Sequence, residues 1–227
     1  MLLRGDNDRK YLESLAEVLV RVAARRPLAV VVGGGPTARQ YIDLGRDLGL
    51  NEVELDELGI AITRLHARLL AHLLGPDAPS SPPGTLTEAA EAVARWPIVV
   101  MGGTEPSHTT DAVASLLAER IHAGLIVNAT NVKGFYAEDP RVNPRAPFVD
   151  HMGFAEFAEW VRVHTEGTAG QHFVFDALGA RSVARSRIPL AVVDGRNLEN
   201  LEAALEGQEF EGSWVGPGRK GRAPRKR

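Results

Sequence analysis

The residues best suited to chemistry lie in one run, Met101-Gly102-Gly103-Thr104-Glu105-Pro106-Ser107-His108-Thr109-Thr110-Asp111. It follows the apolar Pro97-Ile98-Val99-Val100 and precedes residues 112–123, whose apolar side chains recur at helical spacing, so it reads as strand, turn and helix. Such a junction can hold an anion. Glycines let backbone come close to a ligand, while hydroxyls and unpaired N–H groups at a helix start donate to phosphate. The same residues would also make a plain tight turn before a Thr-capped helix. A second junction of this kind runs from Leu28-Ala29-Val30-Val31-Val32 into Gly33-Gly34-Gly35-Pro36 and a helix over residues 37–48. Three successive glycines cost conformational entropy that a helix start does not require. Arg39, in the first turn, opposes the helix dipole, and a bound anion would account for its placement; an exposed Arg is the alternative. A third apolar strand, residues 124–129, emerges into Thr130-Asn131-Val132-Lys133-Gly134-Phe135-Tyr136. Three strands that discharge small or polar residues at their C-terminal ends mark the ligand edge of an open α/β sheet.

The elements that must position these junctions can be read in order. Leu12, Leu15, Ala16, Leu19, Val22 and Ala23 share one face of an amphipathic helix, with Asp6 or Asn7 as cap. A helix over residues 56–74 is expected to turn Leu58, Ile62, Leu65, Leu69 and Leu73 to the core, with Asp56 either its N-cap or a ligand contact. Residues 75–84, rich in proline, form a connector or lid, and residues 85–95 a short helix. Further helices are expected over 154–161, 172–186 and 198–205, with strands at 189–193 and 213–215.

Composition sets the limits. With 227 residues, 44% hydrophobic and 24% charged, the chain has the makings of an ordered globular protein. No apolar run approaches the roughly 20 residues of a membrane span, and the opening residues lack a signal-peptide core, so a cytoplasmic enzyme is expected. The absence of Cys excludes disulfides, thiolate metal sites and a Cys nucleophile. The seven His residues show no ligand spacing, and no protein-held metal is expected. Residues 216–227 hold Arg219, Lys220, Arg222, Arg225, Lys226 and Arg227 and no acid, so of the net −3 the stretch 1–215 carries −9. The tail reads as solvated and disordered rather than as a nucleic-acid contact, and residues 1–215 as one domain.

Four phrases, Val31-Val32-Gly33-Gly34-Gly35-Pro36-Thr37-Ala38-Arg39-Gln40-Tyr41, Leu58-Gly59-Ile60-Ala61-Ile62-Thr63-Arg64, the run from Gly102 to Asp111, and Thr130 to Tyr136 followed by Asp139-Pro140, together resemble the archaeal-type uridylate kinases of the amino acid kinase superfamily. The resemblance runs in register from residue 1 to about residue 215. It implies a three-layer α/β/α sandwich around a mainly parallel sheet, a homohexamer, and transfer of phosphate from ATP to UMP, giving ADP and UDP, with Mg²⁺ bound through the nucleotide phosphates. It places Gly34, Asp56, Thr104, Glu105, Pro106, Ser107, His108, Thr109 and Thr110 at UMP-binding positions. Gly35, Arg39, Thr130, Asn131, Tyr136 and Asp139 fall at ATP-binding positions. Phosphoryl transfer needs alignment and charge neutralisation rather than a protein nucleophile, so Arg39 and Asp111 are the expected catalytic side chains; Asp111 would orient a cation or a Mg-bound water, or simply favour the helix dipole.

Family members begin with a strand and a Gly-Gly-Ser loop for the ATP phosphates, and this sequence starts just past that point; a start codon read too late is the expectation, and a real truncation that weakens or abolishes kinase activity is the alternative. A non-catalytic nucleotide- or oxyanion-binding member of the superfamily is the alternative. Isopentenyl phosphate kinases carry a Ser-Phe-Gly-His pattern that is missing here. Lys133, where relatives commonly have Asp, either lies near the ATP phosphates or alters a surface turn; His66 stands where relatives often have Asn.

Overall fold

A computed structural model describes residues 8–138, 140, 142–166 and 175–218. The expected cap at Asp6 or Asn7, the start of the 172–186 helix, Asp139 and the basic residues from 219 onward lie outside the described residues. Contacts divide the chain into two compact units, Met1–His122 and Ala123–Arg227.

In the first unit, α1 (Asp8–Ala23) buries Leu12, Leu15, Ala16, Leu19 and Val22, the stripe its spacing dictates. Two parallel strands, β1 (Leu28–Val31) and β2 (Ile98–Met101), pair with Leu28 opposite Ile98 and Val31 opposite Met101. Every residue of β2 is buried, as an all-apolar run in a parallel sheet should be. Between the strands the chain forms α2 (Gly35–Asp47), α3 (Glu52–Leu74), a 3₁₀ turn (Gly75–Asp77) and α4 (Leu86–Val93). After β2 comes α5 (Thr110–Arg120). One part of the core gathers Ala89 and Ala92 of α4, Val99 and Met101 of β2, and Val113 and Leu117 of α5.

Helix α3 departs from the sequence reading in two respects. It starts four residues earlier than expected, because Asn51 caps it: the Asn51 side chain accepts from Val53 and Glu54 N–H while the Glu54 carboxylate takes the Asn51 N–H, a reciprocal capping box. Asp56 is therefore one turn inside the helix and free to bond elsewhere. Its buried face is Leu55, Thr63, His66, Ala67, Leu70, Ala71 and Leu74, whereas Leu65, Leu69 and Leu73 are 61%, 44% and 41% exposed. Alanines and short polar side chains let α3 lie close against β2 and the chain that leaves it, while Leu65, Leu69 and Leu73 are turned outward.

The second unit holds β3 (Ile126–Thr130), the short antiparallel pair β4 (Phe135–Tyr136) and β5 (Phe148–Val149), β6 (His151–Met152), α6 (Phe154–Glu166), α7 (Ala177–Ser186), β7 (Leu190–Asp194), α8 (Leu198–Leu205) and β8 (Ser213–Val215). Its four-stranded sheet has the order β3-β7-β8-β6, with β3 and β7 parallel and β7 and β8 antiparallel. Val192 and Val193 of β7 are wholly buried. The rings of Phe135, Phe157, Trp160 and Phe175 cluster with centroids 5.2–5.5 Å apart, seating α6 on the β4 segment.

Candidate functional site

The chain leaving β2 is shaped by what lies behind it. A Cβ at Gly102 would stand 2.7 Å from Arg64 N, the Thr63 carbonyl carbon and Thr63 Oγ1, and one at Gly103 would stand 3.1 Å from Ile60 Cγ1. The two glycines therefore permit the close approach of this loop to α3. Thr63 completes the fit, its Oγ1 accepting the Gly103 N–H at 2.7 Å and donating to the Ile60 carbonyl at 2.6 Å.

Beyond the glycines, residues 104–109 form an open loop in which Thr104, Pro106 and His108 are half-buried and Glu105, Ser107 and Thr109 exposed. Ser107 holds φ = 65°, a left-handed conformation that a non-glycine residue adopts only when its surroundings insist. The surroundings here include Asp56, whose Oδ2 accepts the Ser107 N–H at 2.7 Å, and a turn closed by the His108 N–H on the Glu105 carbonyl at 3.3 Å. The structure thus joins Asp56 to the loop with which the sequence grouped it. Thr109 caps α5, accepting the Ala112 N–H at 3.1 Å, so Thr110 and Asp111 stand in the first helical turn. N–H groups at that end carry the positive pole of the helix, and Asp111 lies where an acid is favoured.

The glycine triplet adjoins the same loop. A Cβ on Gly33 would touch Thr110 Oγ1 at 3.6 Å, and one on Gly34 would collide with Ala38 in the first turn of α2. Gly35 has φ = 59°, so the sharp change of direction into α2 needs its freedom. The buried His66 ring places Nδ1 3.1 Å from the Gly33 carbonyl; because a carbonyl only accepts, Nδ1 carries the proton in this contact. Arg39 is exposed one turn into α2 and makes no hydrogen bond or ion pair among the described residues. Its guanidinium is available to an anion.

In the second unit, Thr130 ends β3 opposite Asp194 of β7, and its carbonyl accepts the Gly195 N–H at 2.8 Å. Asn131 is exposed beside it. Tyr136 sits on the separate β4–β5 hairpin, its ring edge-on to Phe148 at 5.2 Å. Asp194 accepts from Arg196 Nε at 2.8 Å, and this bond holds the Arg196 guanidinium above its ordinary pKa. Lys133 Nζ lies 2.8 Å from Glu211 Oε1, and Glu211 is itself fixed by Asn200, which bonds both its N–H and its carbonyl. Lys133 thus braces a surface turn. Among the described residues no group of three or more His, Asp or Glu side chains gathers, and no helix is long and apolar enough to cross a membrane.

The residues that sequence reasoning missed are Thr63, Arg64 and His66 on one turn of α3. Thr63 and Arg64 stood in view within the Ile-Ala-Ile-Thr-Arg phrase, and the usable signal was a Thr, an Arg and a His interrupting an otherwise apolar helix.

Compared with known families, residues 2–194 match the sequence profile of the Amino acid kinase family. The chain belongs to the amino acid kinase family. Among its relatives, the uridylate kinase of Methanospirillum hungatei is 44% identical over 94% of this chain and 90% of that protein. The uridylate kinase of Haloarcula marismortui is 42% identical over 95% of both. The crystal structure of uridylate kinase from Archaeoglobus fulgidus superposes with a TM-score of 0.84 at 38% identity, covering 93% of this chain and 94% of that one. The fold class is accordingly the α/β sandwich of this family, with helices on mostly parallel strands.

Proposed function

We propose that this chain is a uridylate kinase, transferring the terminal phosphoryl group of ATP to UMP with release of ADP and UDP, a step of pyrimidine nucleotide synthesis in the cytoplasm. The observation that carries the reading is 44% identity to a uridylate kinase across 94% of the chain. The alternative, a non-catalytic binder, gains no support from the relatives described.

In this reading the UMP phosphate and ribose meet Gly34, Asp56 and residues 104–110. The capped start of α5 and the N–H groups of the loop suit a dianion, and Asp56 supports the loop at Ser107 while offering its second oxygen. ATP is assigned to Gly35, Arg39, Thr130, Asn131, Tyr136 and Asp139. Arg39, exposed and without a protein partner among the described residues, would neutralise charge on the transferring phosphoryl group. Asp111 would orient a cation or its water at the same place. Magnesium would be carried mainly by the nucleotide phosphates, the habit of an ion that keeps its waters and takes few protein ligands, and would supply neutralisation of phosphate charge. Residues 1–215 act as one functional domain, and the outward leucines of α3 together with Tyr41 and Leu44 of α2 and Leu48 at its C-terminal end give apolar surface for assembly into the expected homohexamer.

The test is a coupled assay of ADP release with UMP, CMP and AMP as acceptors, alongside calorimetric UMP binding. UMP-dependent turnover supports the assignment; tight nucleotide binding without turnover overturns it in favour of the binder.

A further inference from the structure

One guanidinium collects three backbone carbonyls at the edge of this site. Arg64 Nε donates to the Gly103 carbonyl at 3.0 Å, and Arg64 Nη2 donates to the Thr104 carbonyl at 3.1 Å and the Gly84 carbonyl at 3.3 Å. The first two belong to consecutive peptides of the acceptor loop; the third belongs to the proline-rich connector before α4. An arginine presents a planar fork of donors, and here the fork fixes peptide planes instead of a carboxylate.

The consequence follows from peptide geometry. The described chain has no cis peptide bond, so in each planar unit the N–H points opposite to the carbonyl before it. Turning the Gly103 and Thr104 carbonyls toward Arg64 turns the Thr104 and Glu105 N–H groups away from it, as neighbouring donors on the other side of the loop. Successive N–H groups displayed in this way form an anion-binding concavity. The preceding Gly102–Gly103 peptide is held as well, its N–H bonded to Thr63 Oγ1. Three residues beyond Thr63 along α3, His66 holds the Gly33 carbonyl of the glycine triplet. A single turn of one helix thus ties down both loops, and its only formal charge at that point is positive.

We propose that Arg64 is a positioning residue for the phosphate acceptor: by clamping the Gly103, Thr104 and Gly84 carbonyls it presets the loop's N–H groups toward the UMP phosphate, without touching the reacting atoms. The inference rests on the uridylate kinase reading. Arg64→Lys keeps the charge and most of the aliphatic stem but cannot fork to three carbonyls, and Arg64→Ala removes the clamp altogether.

Initial rates with each substrate varied, on the full chain, separate the roles. The expected result is a rise in KM for UMP of about 10-fold for Arg64→Lys and about 100-fold for Arg64→Ala, the scale of loss when a positioned group is released by about an ångström. KM for ATP should stay within about twofold, and added guanidine should recover part of the Arg64→Ala loss. Equal rises in both KM values, an unchanged KM for UMP, or full activity in Arg64→Lys overturns the proposal. If Arg64→Ala fails to fold, the two KM values of Arg64→Lys decide alone. Absence of both UDP formation and UMP binding in the unaltered chain sinks the activity assignment and this inference together, whereas normal turnover with an indifferent Arg64 sinks only the inference.

Discussion

Gly102→Ala tests whether the acceptor loop owes its shape to α3. An alanine Cβ there would lie 2.7 Å from three atoms of α3, where ordinary contact begins at 3.4 Å. Two of the three, Arg64 N and the Thr63 carbonyl carbon, are helix backbone and cannot swing aside. The end of β2 must therefore retreat by about 0.7 Å, and overpacking of this kind costs ~1–3 kcal/mol. For a chain of this length each kcal/mol lowers Tm by roughly 2–4 °C, so the expected fall is roughly 2–12 °C. The retreat also stretches the Gly103 N–H bond to Thr63 and the Arg64 bonds to the two carbonyls, so UMP affinity should fall about 10- to 100-fold. Differential scanning calorimetry reads the first effect and isothermal titration with UMP the second. Gly124→Ala is the control, since a Cβ at Gly124 meets nothing within 4 Å; its stability should stay within about 0.5 kcal/mol of the parent. A Gly102→Ala protein that melts within 2 °C of the control and binds UMP equally well would refute the close-approach argument.

Other outcomes follow from the same geometry. Thr63→Val, nearly isosteric, leaves the buried Gly103 N–H without its acceptor and should cost ~1–3 kcal/mol in urea unfolding. Asp56→Asn removes the charge that receives the Ser107 N–H; UMP binding should weaken by roughly 10-fold while stability changes by less than about 1 kcal/mol, because the bond is exposed, and calorimetry distinguishes the two. Lys133→Ala should leave KM for ATP within about twofold and cost under ~1 kcal/mol, since both partners of its ion pair are about half exposed.

Much of the fold was legible because its strands are unbroken apolar runs and its junctions are marked by glycine and capping residues. Leu28–Val31 and Ile98–Met101 emerged as parallel strands, and the stripe of α1 was read correctly from spacing. α3 resisted the same treatment. Counting Leu and Ile selects Leu58, Ile62, Leu65, Leu69 and Leu73, yet the face turned inward lies about a third of a turn away and is built from Ala67, Ala71, Thr63 and His66 among larger residues. Periodicity scores apolar bulk, and this face was shaped by the need for backbone proximity and hydrogen bonds to two loops. The capping box at Asn51 and Glu54 is readable from residue types alone, but Asp56 offers a competing helix start a turn later. Within the candidate site, residue types mark the glycine-bearing loops, but the helix atoms that stand against Gly102 and Gly103 could not be read from the sequence. Sequence shows what a residue can permit, not what will stand next to it.

The bond from the Gly103 N–H to Thr63 Oγ1 also makes the site observable in real time. Gly103 is buried and its amide proton is committed to a side chain, so it exchanges with solvent only when the loop lifts from α3. Exposed amides on the same loop, such as that of Glu105, exchange without any such opening. The slow proton at Gly103 therefore clocks the departure of the loop from its helix, and a nucleotide that gathers the loop from the other side should slow that clock.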